Sequence, residues 1–120
     1  MPSIRGKRVF LSGRMSDDPK TFHAHQFVDA HVLCKEAGAT EVYDPAVEWL
    51  KYDGSERTHS DWMLESLSEL TIREGFSSTR YWDVLVSLPG WELSEGARTE
   101  RTVAEACGMD VYDLEDIEND

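Results

Sequence analysis

Apolar residues fall along this chain in two alternating rhythms. Arg8 to Ser12 reads Arg-Val-Phe-Leu-Ser, the continuous apolar run of a strand buried on both faces, and Gly13 ends it. Ser16 to Pro19 form a turn cluster. Thr21 to Ala37 then places Phe22, Phe27, Val28, Leu33, Cys34 and Ala37 near helical spacing, and Gly38 stops the run. Glu41-Val42-Tyr43 predicts a second short strand, Ala46 to Lys51 a turn of helix, and Asp53-Gly54-Ser55 a break. A helix capped by Ser60 is expected to reach about Arg73 with Leu64, Leu67, Leu70 and Thr71 inward. After a polar excursion between Leu70 and Tyr81, Asp83 to Leu88 predicts another buried strand, closed by Pro89-Gly90. Gly96 to Cys107 reads as a helix ended by Gly108, Met109 to Tyr112 as a last strand, and residues 114–120 as an acidic, fraying tail.

Strands alternating with helices imply an α/β protein: a three-layer parallel sheet of about four to five strands, with helices on both faces. The 120 residues suit one domain, and no repeat or linker divides them. In such sheets ligands bind beyond the carboxyl ends of the strands. Here those ends lead into loops beginning at Ser12, Tyr43 and Leu88.

Charge narrows the possible ligands. Twenty-four acids against 12 bases leave a formal charge of -12, which repels nucleic-acid backbones and anionic membranes. No apolar run approaches the ~20 residues that span a bilayer, and no signal-peptide pattern opens the chain, so a cytoplasmic location is expected. Cys34 and Cys107 lie apart in predicted helices, which suits reduced, buried thiols. His23 and His25 are two residues apart and face different ways, and His31 and His59 lack partners at metal-ligand spacing, so no metal is expected. A G-x-G-x-x-G fingerprint and a P-loop are absent, and no cofactor is expected.

One carboxylate stands where an apolar residue belongs. On the predicted helix Gly96 to Cys107, Glu100 falls on the stripe formed by Ala97, Ala104 and Cys107 and should face the sheet. A desolvated carboxylate needs a partner or a task. A salt bridge with Arg14 or Arg98 is the structural alternative to a catalytic role. Upstream, Ser94, Gly96 and Ala97 open the helix, where backbone N–H groups, a hydroxyl and the helix dipole suit a phosphate; Ser94 equally reads as an ordinary N-cap. Ser12-Gly13-Arg14 leaves the first strand at the same edge and offers close backbone approach and a fixed positive charge. Trp49, Trp62 and Trp82 read as core or interface. Trp91, in the Leu88-Pro89-Gly90-Trp91 turn, is placed to stack on a base or exclude solvent. Asp61, at a helix start, also suits the helix dipole.

Taken together, Val9-Phe10-Leu11-Ser12-Gly13-Arg14-Met15, Ser60-Asp61-Trp62-Met63-Leu64, Asp83 before a strand ending Leu88-Pro89-Gly90-Trp91, and Ser94-x-Gly96-Ala97-x-x-Glu100-x-x-x-Ala104 resemble the nucleoside 2-deoxyribosyltransferase-like superfamily. The resemblance spans roughly residues 8 to 112 and is nearest to a small branch common in bacteriophage genomes. It implies a flavodoxin-like fold, the cytoplasm of a phage-infected bacterium, a homodimer or larger assembly, and chemistry at the anomeric carbon of a nucleoside or nucleotide. Glu100 matches the family's nucleophile, and Asp61 the aspartate that protonates the departing base or contacts the sugar. Ser94 matches the serine that contacts a 5′-phosphate, where transferases carry aspartate, and so points to a nucleoside 5′-monophosphate. The substrate-binding set is then Phe10, Ser12, Gly13, Arg14, Trp91, Ser94, Gly96 and Ala97. Phe10 replaces a tyrosine whose hydroxyl touches the nucleophile, and Arg14 also departs from the pattern. Those departures support an alternative: a protein that sequesters a nucleotide or ADP-ribose-like ligand without cleaving it. An acidic interaction protein is a third reading, disfavoured by the wide spread of the acids.

Overall fold

β1 (Arg8–Ser12) and β3 (Val84–Ser87) lie side by side at the centre of a four-stranded parallel sheet. β2 (Glu41–Tyr43) flanks β1 and β4 (Asp110–Asp113) flanks β3, giving the order β2-β1-β3-β4. The structure, a computed structural model, describes residues 3–15, 23–50 and 58–117, without the side chains of 48–50. The predicted turn at Ser16 to Pro19, the Asp53-Gly54-Ser55 break, Phe22 and the Trp49 side chain lie outside that description.

The two central runs, Val-Phe-Leu-Ser and Val-Leu-Val-Ser, send alternate side chains to opposite faces. Val9, Leu11, Val84 and Val86 pack with Phe27, Ala30 and Cys34 of α1 (Ala24–Glu36). Phe10 and Leu85 point the other way, into a cluster with Leu70 of α3 (His59–Leu70) and Ala104 of α4 (Glu95–Ala106). Helices therefore cover both faces, in three layers. A further short helix, α2 (Pro45–Leu50), adjoins α1. The chain passes from β1 to β2 on one side and later to β3 on the other. The switch point of this sheet thus lies between the carboxyl ends of β1 and β3, where Ser12 and Ser87 pair in register.

Several expectations need correction. The inner face of α3 is Trp62, Ser66 and Leu70; Leu64, ~200° around the helix from Trp62, is exposed, as is Thr71. Thr58, not Ser60, caps this helix, which ends at Leu70 rather than near Arg73. Val28 of α1 is exposed. Cys107 is the exposed C-cap residue of α4, whereas Cys34 is buried, and burial pushes its thiol up to about 11. The tail does not fray from residue 114: Leu114–Asp116 form a 3-10 turn, and Ile117 is buried against the α1 face of the sheet. No helix among the described residues is long and apolar enough to cross a membrane.

Candidate active site at the sheet switch point

α4 starts where the Leu88-Pro89-Gly90-Trp91 turn delivers the chain back over the sheet. Gly90 has φ 88°, a left-handed conformation that glycine adopts without strain. A Cβ there would lie 2.8 Å from Arg14 Cδ, so Arg14 lies across this turn and joins the loops leaving β1 and β3. Trp91–Leu93 form a 3-10 turn, and Ser94 then caps α4, its hydroxyl accepting the Ala97 N–H at 3.2 Å. Gly96 permits close approach to α3: a Cβ would stand 3.0 Å from Met63 Sδ and 3.7 Å from His59 Cε1. The amino-terminal ends of α3 and α4 therefore converge, and so do their positive dipole ends.

One turn into α4, Glu100 is 7% exposed on the sheet-facing side, in line with Ala97 and Ala104. Ser12, the last residue of β1, donates its hydroxyl to Glu100 Oε1 at 2.6 Å. That length is characteristic of an O–H···O⁻ bond. Glu100 forms no ion pair among the described residues; the Arg98 guanidinium goes instead to the Glu92 carbonyl at 2.6 Å. Desolvation dominates its protonation and pushes the carboxyl from 4.5 up to about 7, against the opposing pull of the Ser12 and Ser66 hydroxyls. Ser66, buried on α3, favours the charged form although its hydroxyl finds no hydrogen-bond partner of normal geometry. A carboxyl poised near neutrality can act as an anion or carry a proton.

Beside it, the next residue of α4 reaches the neighbouring strand. Arg101 Nη1 donates to Ser87 Oγ at 3.0 Å and to Asp113 Oδ1 at 2.9 Å, and its guanidinium carbon lies 4.2 Å from the Trp91 ring centroid. Two buried serines that end adjacent strands thus hold consecutive helix residues, an acid and a base. A cavity of about 300 Å³ opens next to this pair at the ends of β3 and β4, lined by Ser87, Pro89, Gly90, Trp91, Asp113 and Glu115 among others. Its acidic side, formed by Asp113 and Glu115, repels a phosphate, whereas the joined amino termini of α3 and α4 attract one.

The expected site residues separate accordingly. Glu100, Ser12, Ser94, Gly96 and Ala97 meet around the start of α4. Gly13 is held by packing, since a Cβ would come within 3.0 Å of Leu88 Cβ. Trp91 has one face on Arg101. Phe10 is fully buried, stacked on Tyr43 at 4.7 Å and clustered with Trp82, so it belongs to the floor beneath the site and cannot contact a ligand. Asp61 takes part in a capping box, its Oδ2 accepting the Thr58 N–H at 2.8 Å while Thr58 Oγ1 accepts the Asp61 N–H at 3.2 Å. Its carboxylate thus caps the start of α3, at the positive end of the helix dipole. Ser66, Ser87 and Arg101 are additions. Ser87 had a readable signal, a serine ending each of two apolar strand runs; Arg101 and Ser66 had none.

No group of three or more His, Cys, Asp or Glu among the described residues could hold a metal ion. A family model described as Domain of unknown function (DUF4406) matches residues 7–113. No curated protein and no solved structure matches the chain.

Proposed function

We propose that this chain, which belongs to the DUF4406 family, cleaves or transfers the N-glycosidic bond of a nucleoside or deoxynucleoside 5′-monophosphate, with Glu100 as nucleophile. The observation that carries the reading is the Glu100 carboxylate itself: buried, without a counter-ion among the described residues, and held by Ser12 at the switch point of a parallel sheet. In the reaction, a Glu100 oxygen forms a bond to C1′ as the C1′–N bond breaks. The bonding pair leaves with the base, which takes up a proton from water; water or a second base then bonds to C1′ as the C1′–O bond to Glu100 breaks, and gives its proton back to solvent.

Ser12 orients the attacking oxygen and offsets part of the cost of ionising it in a dry site. The Ser94 to Ala97 turn suits the 5′-phosphate: the Ser94 hydroxyl, which accepts the Ala97 N–H, keeps its own proton to donate, and the Gly96 N–H lies next to it beside the start of α3. Arg14, lying across Gly90, adds a positive charge on the loop side.

A second reading, a binder that holds a nucleotide or ADP-ribose-like ligand without cleaving it, is favoured by one observation. Phe10 presents no hydroxyl to Glu100 and is sealed in the core. Incubation with a panel of ribo- and deoxyribonucleoside 5′-monophosphates, with free base followed by chromatography, separates the two. Base release from at least one nucleotide is expected; a nucleotide that binds but is never cleaved would leave the sequestering reading.

A further inference from the structure

Two cations in the segment between α3 and β3 have no counter-ion among the described residues. Ile72 to Tyr81 turn back on themselves: the Glu74 N–H donates to the Thr79 carbonyl and the Tyr81 N–H to the Ile72 carbonyl, both at 2.9 Å. Arg73 and Arg80 face each other in the antiparallel bridge between those bonds. Flanked in this way they are a non-hydrogen-bonded pair, the closer of the two antiparallel kinds, with both side chains on one face. Like charges so placed repel. Neither guanidinium has an ion pair or hydrogen bond among the described residues, and Arg80 Nε is buried away from solvent without an acceptor. Carboxylates are not scarce in a chain with 24 acids, and Arg8 and Arg101 have taken theirs from Glu74 and Asp113.

Both arginines line a cavity of about 480 Å³ together with Thr71, Ser78, Thr79 and Cys107. It lies where α3 and α4 end, at the opposite edge of the sheet from Glu100. The negative ends of two helix dipoles explain a preference for cations there. They do not explain two guanidinia, unpaired among the described residues, that line one cavity with hydroxyl-bearing residues. We propose that Arg73 and Arg80 form an oxyanion site that takes the phosphate group of a small-molecule ligand. A carboxylate is satisfied by one guanidinium fork, whereas a phosphate dianion has acceptors for two forks and for the Ser78 and Thr79 hydroxyls. The cavity has the size of ordinary ligand sites and exceeds the phosphate alone. This site is independent of the chemistry proposed for Glu100.

The test uses the full chain and follows amide chemical shifts while inorganic phosphate or glycerol phosphate is titrated against chloride at constant ionic strength. Saturable shifts across residues 71–80 and at Cys107 are expected, with the tighter response to the phosphomonoester. Arg73→Gln and Arg80→Gln should each weaken binding about tenfold or more, the double variant should abolish it, and Arg80→Lys should lie between. Shifts around Ser94 to Ala97 should be unchanged by these substitutions. Removing repelling charges leaves the fold at least as stable, and unchanged amide spectra elsewhere check this. A response confined to Ser94 to Ala97, or one at 71–80 that survives the double substitution, would overturn the inference without touching the Glu100 reading. An absence of response at Ser94 to Ala97 bears on the Glu100 site alone.

Discussion

Glu100→Gln should release free base on the order of 10³-fold more slowly than the wild type, or less, while binding the same nucleotide with an affinity within a few-fold. The amide preserves the volume of a side chain that is 7% exposed and can still accept the Ser12 hydroxyl, so the ground-state complex survives. What is lost is the anion that attacks C1′. Single-turnover base release and calorimetric binding, measured on both proteins, read the two quantities separately. Equal release rates from a nucleotide that both proteins bind would remove Glu100 from the chemistry.

The second large effect is on stability and depends on pH. Burial raises the Glu100 carboxyl from 4.5 to about 7, so the folded protein keeps a proton that the unfolded chain releases. The stability contributed by this group is fully present below about 4.5 and is lost as pH rises through about 7. Between those limits the loss is about 3 kcal/mol, the free energy of a shift of that size. Glutamine at this position does not titrate. The stability of Glu100→Gln relative to the wild type should therefore grow by about 3 kcal/mol from pH 4 to pH 8, on the order of 10 °C in Tm. Comparing the variant with the wild type cancels the pH dependence of the other acids. Thermal melts at the two pH values check it; a difference that stays constant would mean that Glu100 titrates as an exposed glutamate does.

Where one interaction dominated, the sequence could be read directly. β1 and β3 are apolar on both faces because helices cover both faces, and that leaves an unbroken apolar run. α4 was readable in phase, because alanines at 97 and 104 leave only one orientation for Glu100. The burial of that carboxylate was thus visible before its partner was. The predicted stripe runs one residue too far at Cys107, where the helix has already given way to its C-cap and Gly108 turns the chain with φ 78°.

α3 departs from its apolar pattern for a physical reason. Its leucines invite an inward assignment, yet Leu64 is 69% exposed, while a serine, Ser66, occupies the inner face beside Glu100. A buried hydroxyl near a buried carboxylate inverts the usual pattern, and hydrophobicity carries no sign of it. Asp61 stood in a Thr58-x-x-Asp61 frame whose capping geometry depends on where the helix begins, and helix starts are poorly marked in sequence. Only its position in a motif points Phe10 toward a ligand. Its alternation with Val9 and Leu11 already placed it on the α3 and α4 side, and only the packing of Tyr43 and Trp82 around it decides that it is floor and not wall. Arg101 was invisible because its partners, Ser87 and Asp113, come from two strands joined only in the folded sheet.

The central claim is that a Glu100 oxygen becomes bonded to the sugar. The most direct measurement is the mass of the intact protein after acid quench of a single turnover with a nucleotide that it cleaves, followed by mapping of any adduct. The wild type should gain the mass of one glycosyl phosphate, located on the peptide that carries Glu100, and Glu100→Gln should gain nothing. Base released without an adduct, or the same adduct on the variant, would contradict it.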